Sequence, residues 1–153
     1  MIKTCTILIF LLISVAQAQN KNVADSLLHK LAIARDTGKI QILLALSDQY
    51  SFTDISKSIK YGSEALKEAQ RLNYETGIGH ALGKLAETYS RTNSEGKALE
   101  LMFQLLHLEQ KFKNSSGEAA ALLSIGNMYN RLGAYPNALD YYFKSLRIYK
   151  KLR

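Results

Sequence analysis

The segment LGKLAETYSR, residues 82–91, returns at an offset of 40 as LLSIGNMYNR, residues 122–131. Leu82, Leu85, Tyr89 and Arg91 fall on Leu122, Ile125, Tyr129 and Arg131, and downstream Ala98, Leu99 and Leu106 fall on Ala138, Leu139 and Leu146. A third copy lies upstream. Leu43, Leu46 and Tyr50 precede Leu82, Leu85 and Tyr89 at an offset of 39, whereas Ser58, Ile59 and Leu66 precede Ala98, Leu99 and Leu106 at an offset of 40. One residue is therefore missing between Tyr50 and Ser58, which is where a turn is expected. Self-similarity at a fixed period of this size marks an array of stacked supersecondary units.

Each unit carries a helical period twice. Leu122, Ile125, Gly126 and Tyr129 follow the i, i+3, i+4, i+7 spacing of one helix face, and Ala138, Leu139, Tyr142, Ser145 and Leu146 continue it on a second segment. Residues 131–136, RLGAYP, break the pattern between them; Gly133 suits a positive φ after the first helix and Pro136 is tolerated in the first turn of the second. Residues 92–96, TNSEG, and 51–54, SFTD, do the same in the other units, while 73–77, NYETG, and 114–117, NSSG, supply turn and cap residues between units. The small residues Gly126 and Ala138, echoed by Ala86 and Ala98, let paired helices approach closely, and Tyr129, Tyr142 and Tyr89 fill the volume beside them.

This arrangement resembles the tetratricopeptide repeat family. In the third unit Leu122, Ile125, Gly126, Tyr129, Ala138, Tyr142 and Ser145 correspond to the family's large, large, small, aromatic, small, aromatic and small positions. The second unit has Leu82, Leu85, Ala86, Tyr89, Ala98 and Met102, with Leu105 where a small residue is usual. The first has Leu43, Leu46, Ser47, Tyr50, Ser58 and Ala65, with Gly62 where an aromatic is usual. The resemblance covers Gly38 to Arg153 and implies an all-α, right-handed α-α superhelical solenoid, divided as repeats over 38–76, 77–116 and 117–153. A period of 40 exceeds the roughly 34 typical of the family. It is similar to variants in bacterial signalling proteins and kinesin light chains, and the extra six residues predict more than a turn of helix added to each unit.

Residues 1–19, MIKTCTILIFLLISVAQAQ, place Lys3 before an apolar run from Ile7 to Val15 and then Ala16-Gln17-Ala18, the pattern of a secretory signal peptide cleaved after Ala18. The run is shorter than the roughly 20 apolar residues of a membrane span. Cys5 precedes the run, where a lipid-bearing cysteine would follow it, so the pattern predicts an extracytoplasmic protein released to the periplasm or the medium. Cleavage leaves a cysteine-free mature chain, 19–153, with no further transmembrane stretch. Residues 19–37 contain an N-terminal helix, Asn22 to Arg35, whose Val23, Leu27, Leu28, Leu31, Ile33 and Ala34 form an apolar stripe suited to covering the first unit. The last helix runs to the end of the sequence without a polar capping helix behind it, which arrays need for solubility. This points to a front piece of a longer protein, or to self-association through that helix by Leu146, Tyr149 and Leu152.

Composition excludes several classes of function. The chain has 153 residues, 47% hydrophobic and 22% charged, with one Pro, one Cys and no Trp, so it is neither disordered nor disulfide-stapled and has no thiolate zinc site. The net charge of +7 is local: taking Lys3, Lys144, Arg147, Lys150, Lys151 and Arg153 from the 20 bases leaves 14 against 13 acids. Bases near a helix C-terminus suit the macrodipole, so no nucleic-acid partner is implied. His29, His80 and His107 share no one-turn spacing with another His or Cys. Residues 77–83, GIGHALG, have the look of a dinucleotide loop at the wrong spacing with no strand before it, and read as a turn and close helix packing. Asn114-Ser115-Ser116 has the form of a glycosylation triplet but also of a turn. The nine Tyr and five Phe recur at core positions rather than on a base-stacking surface. No cofactor, metal or catalytic group is indicated; His80 and Glu87, two turns apart, reach poorly for acid-base work.

What remains is a groove. In this family the first helices of successive repeats line a concave face, which here implies Gln41, Leu44 and Asp48 in the first unit, His80, Lys84, Glu87 and Arg91 in the second, and Asn127, Asn130 and Arg131 in the third. Arg91 and Arg131, with Lys84 and Asn127, are suited to gripping a carboxylate or a peptide backbone, although the Lys, Asn and Arg set of the family's carboxylate-binding members is not reproduced. The expectation is a non-catalytic module that binds a protein or peptide, the extracytoplasmic sensor part of a bacterial signalling protein or a small secreted scaffold.

Overall fold

The computed structural model describes residues 22–152, all helices and turns with no strand among them. The signal-peptide segment 1–18, Cys5 and Arg153 lie outside the described residues. Residues 22–33 form α1, followed by α2 (Asp36–Tyr50), α3 (Ile55–Arg71), α4 (Glu75–Arg91), α5 (Glu95–Lys111), α6 (Ser115–Arg131) and α7 (Tyr135–Lys151). Each helix from α2 onward packs on the next, so the pairs α2–α3, α4–α5 and α6–α7 stack as successive hairpins.

From α3 onward the chain keeps strict time. Five helices of 17 residues begin at 55, 75, 95, 115 and 135, each separated from the next by a three-residue turn. The sequence period is thus two equal steps, and the same turn joins helices within and between hairpins. Its geometry is a Schellman cap: Asn73, Asn93, Lys113 and Gly133 all take positive φ, between 51° and 72°. After α3 the amide of Tyr74 donates to the Ala69 carbonyl (2.8 Å) and that of Asn73 to Gln70 (3.1 Å), and Ala134 and Gly133 repeat this on Tyr129 and Asn130 after α6. The turn stretches marked by composition are longer than the turns themselves, because Glu75, Glu95 and Ser115 already sit in the following helices. The turn after α2 differs as the missing residue predicts. None of residues 51–54 has positive φ; the Thr53 and Asp54 amides close on the Tyr50 carbonyl, and the Asp54 side chain caps α3 by accepting from the Lys57 amide (3.0 Å). Pro136 stands in the first turn of α7, where its missing N–H costs nothing.

Two apolar clusters run along the stack. Ile40, Leu43, Ala65, Ala69 and Ala81 form one, with Leu31 of α1 against it; Leu82, Leu85, Ala86, Ala98, Leu101, Met102, Ile125 and Met128 form the other. A Cβ on Gly126 would lie 2.6 Å from the Tyr142 ring and 3.2 Å from the Ala138 carbonyl oxygen, so α6 and α7 approach through the absence of a side chain. Tyr142 donates its hydroxyl to Asn127 Oδ1 (2.9 Å), and Tyr129 stacks on Tyr141 at 5.4 Å between ring centroids. Buried hydroxyls serve the same close packing: Ser47 donates to the Ser58 carbonyl and Ser58 to that of Ser47, both at 2.8 Å, while Ser145 donates to Ala119 (2.7 Å). On the outer side of α7, Tyr135, Leu139, Phe143, Leu146, Tyr149 and Leu152 are exposed at 39–65%.

Lys113 is the one left-handed turn residue of the four that is neither Gly nor Asn, and the left-handed region costs a Cβ-bearing residue about 1–2 kcal/mol. Part of that gain is offset in a glycine variant by the greater entropy of its unfolded chain. Lys113→Gly is expected to raise the unfolding free energy by about 0.5–1 kcal/mol in urea denaturation.

Candidate ligand-binding groove

The first helices of the hairpins do not stack evenly. α2 packs directly on α4, whereas α4 and α6 barely meet, and between them opens a cleft of about 730 Å³. One wall is α4, presenting Gly79, His80, Gly83, Lys84 and Glu87; the other is α6, presenting Gly117, Ala120, Ala121 and Ser124. The floor comes from Met102, Leu105 and Leu108 of α5 and from Phe112 at its C-terminal end, and Leu44 and Asp48 of α2 close one end. A smaller hollow of about 180 Å³ continues it past Glu87, Met102 and Ser124 to Asn127, Met128 and Arg131.

The opening has a cause in side-chain size. Position 83 corresponds to Leu44 in the first hairpin and Leu123 in the third, yet here it is Gly. Across from it, position 105 corresponds to the buried Ala65 and Ser145, yet here it is Leu. A Cβ on Gly83 would meet only Leu105 at 3.8 Å, and one on Gly79 would meet Leu105 and Glu109 Oε1 at 3.5 Å. At this pair of positions the large and small partners have exchanged sides, so Leu105 fills the α4–α5 contact and α4 carries no side chain at Gly79 and Gly83.

The groove's cations are held by the scaffold itself. Lys84 bridges Asp48 on α2 (2.5 Å) and Glu87 on its own helix (3.3 Å), and Glu87 also accepts from Arg91 (2.5 Å). Partial burial works against the Lys84 charge, but the bonds to Asp48 and Glu87 outweigh it and hold the ammonium above its usual pKa. Arg91 donates to the Ser51 carbonyl (3.3 Å), with its guanidinium 4.0 Å from the centre of the Phe52 ring. Arg131 repeats the contact one hairpin on, donating to the Ser90 hydroxyl and carbonyl oxygen, both at 2.6 Å. Each arginine at the end of a first helix thus pins the end of the preceding first helix.

Of the residues expected on the concave face, Asp48, His80, Lys84 and Glu87 line the large cleft with Leu44, and Asn127 and Arg131 line its extension with Glu87. Gln41, Arg91 and Asn130 line neither. Arg91 and Arg131 are engaged with the preceding hairpin rather than presented as a free pair for a carboxylate. The α5 floor and the small-residue walls are not among the residues that the repeat pattern places on the concave face. Their signal in the sequence is Leu105, a departure from the repeat pattern, together with Gly79 and Gly83; Gly77 does pack closely, since a Cβ there would run into the Tyr74 ring. Among the described residues no three His, Cys, Asp or Glu side chains are grouped to hold a metal ion.

Hairpins of equal helices stacked with their first helices along one groove, and small residues at each close approach, meet the pattern that the repeat residues imply. The fold is that of a tetratricopeptide-repeat solenoid. Three solved structures share it: RapI in its apo form (21% identity, TM-score 0.73, 80% of this chain and 46% of that one), a Rap protein complexed with Competence and Sporulation Factor (20%, 0.72, 89% and 40%), and a signal-transduction ATPase with numerous domains and a tetratricopeptide repeat sensor from Pyrococcus horikoshii (18%, 0.78, 92% and 22%). The chain spans less than half the length of each. No family model and no curated protein sequence matches it. No helix among the described residues is long and apolar enough to cross a membrane.

Arg131→Met keeps the aliphatic stem and removes the bonds to Ser90, whose residue is buried. Charge-assisted hydrogen bonds contribute about 1.5–3 kcal/mol, reduced here by the partial exposure of the guanidinium. The variant is expected to lose about 1–2 kcal/mol of unfolding free energy, read from chemical denaturation.

Proposed function

We propose that this chain is a non-catalytic binding module that takes an extended peptide segment of a partner protein in the α4–α6 cleft, and that it serves as the extracytoplasmic sensor part of a signalling protein. The observation that carries the reading is the cleft itself: about 730 Å³ of space floored by apolar side chains and walled in part by small ones, among them Gly83 where the other hairpins carry leucine. Pinned groups at its edges supply polar contacts without needing to be ordered on binding. Two of the structural neighbours lend support by what they are, one in complex with Competence and Sporulation Factor and the other carrying a tetratricopeptide repeat sensor. A ligand seated between α4 and α6 would favour one spacing of the two hairpins over another, and so shift the stack between two packings. The sequence pattern of residues 1–19 supports export.

Selection from a random-peptide display library, with wild type as bait and Gly83→Phe as counter-bait, tests the site. Clones that lose binding about tenfold or more on Gly83→Phe are expected; enrichment indifferent to that substitution would place recognition elsewhere. For export, residues 1–30 fused to a leaderless alkaline phosphatase, an enzyme active only after translocation, are expected to yield active enzyme, and an inactive fusion would remove the extracytoplasmic assignment.

A further inference from the structure

The charges lining the cleft fall into two groups. At the α2 end Asp48, Lys84 and Glu87 form one chain of ion pairs, which Glu87 extends to Arg91 outside the cleft. At the opposite end stand Glu75 and Glu109, and neither has a cationic partner among the described residues. They belong to the same corner. Glu75 precedes Gly79 by one turn of α4, and Glu109 Oε1 lies 3.5 Å from the position of a Cβ on Gly79. The other oxygen of Glu109 accepts from Asn114 Nδ2 (2.7 Å), a neutral donor that orients the carboxylate without cancelling its charge. Directly beside this corner the floor is Leu105, Leu108 and Phe112.

We propose that the cleft selects peptides carrying a lysine or arginine next to a large apolar residue, the cation meeting Glu75 and Glu109 and the apolar side chain entering the space beside Gly79 and Gly83. This rests on the cleft being the binding site. An anionic peptide would meet two uncompensated carboxylates and find the nearby cations Lys84, Arg91 and Arg131 already bonded. A cationic peptide without an apolar residue would leave the Leu105, Leu108 and Phe112 floor wet. Charge complementarity and apolar burial therefore both have to be satisfied at adjacent points, which is a condition on sequence order within the ligand as well as on composition.

Three fluorescein-labelled heptapeptides serve as probes in anisotropy titrations: lysines alternating with leucine and phenylalanine, glutamates alternating with the same apolar residues, and lysines alternating with serine. The first is expected to bind at least about tenfold more tightly than either of the others, with an advantage over the glutamate peptide that shrinks between about 50 mM and about 500 mM salt. Glu75→Gln combined with Glu109→Gln is expected to weaken the first peptide about tenfold while leaving its salt dependence nearly flat. Gly83→Phe, and Gly83→Leu, which restores the residue of the equivalent positions, are expected to weaken it with an unchanged circular dichroism spectrum. If the glutamate peptide binds as well as the lysine one, or the double glutamine variant binds unchanged, the charge assignment is overturned; loss of binding in the Gly83 variants would still uphold the cleft. If the Gly83 variants bind every peptide as wild type does, or no probe binds, the ligand class is overturned, and the display selection then decides the cleft independently.

Discussion

A left-handed residue two positions past the last helical turn is the constraint on which the rest of the solenoid depends. At Asn73, Asn93, Lys113 and Gly133 it reverses the chain within a short turn and bonds amides back to the last open carbonyls, so each helix stops at the same length without leaving those groups unpaired. Because one turn type serves every junction after α3, positions one period apart recur in equivalent surroundings. Arg91 on Ser51 and Arg131 on Ser90 are the same contact made twice. Where the left-handed residue is missing, after α2, the helix stops sooner and the amides of Ser51, Thr53 and Asp54 bond back to the carbonyls of Asp48 and Tyr50.

Within that regular frame the cleft is a local exchange of size across one interface. Leu105 takes volume that Ala65 and Ser145 leave free in the other hairpins, and Gly79 and Gly83 yield it on the facing helix. The α4–α5 contact is kept, while the bulk that would reach from α4 toward α6 is lost. The empty volume opens on the concave side, where water or a ligand can occupy it.

The same stacking decides the electrostatics. Lys84, Arg91 and Arg131 lie on first helices one hairpin apart from their partners Asp48, Ser51 and Ser90, and the offset between hairpins brings each pair within bonding distance. Cations that would make an anion-binding face in an isolated helix become rivets between repeats. The carboxylates of Glu75 and Glu109 have no such partner on a neighbouring hairpin among the described residues, and the groove's uncompensated charge is negative as a result.

Sequence alone determined the number of paired helices, their phase, the missing residue near Tyr50, the left-handed Gly133 and the placement of Pro136, because each is a matter of period or of one residue's own dihedral preference. It also determined that Asp48, His80, Lys84 and Glu87 share the face of the first helices that looks onto the groove. It marked Leu105 as a departure from the repeat without saying what the departure does. That outcome depends on which residue faces Leu105 across α4–α5 and on how far α6 stands from α4, which are distances between segments remote from one another along the chain. The fate of the arginines was likewise a tertiary matter. A guanidinium's partner is set by the offset of stacked hairpins, which no local period encodes, so only the folded chain shows Arg91 and Arg131 closed on Ser51 and Ser90 and the cleft left acidic at its far end.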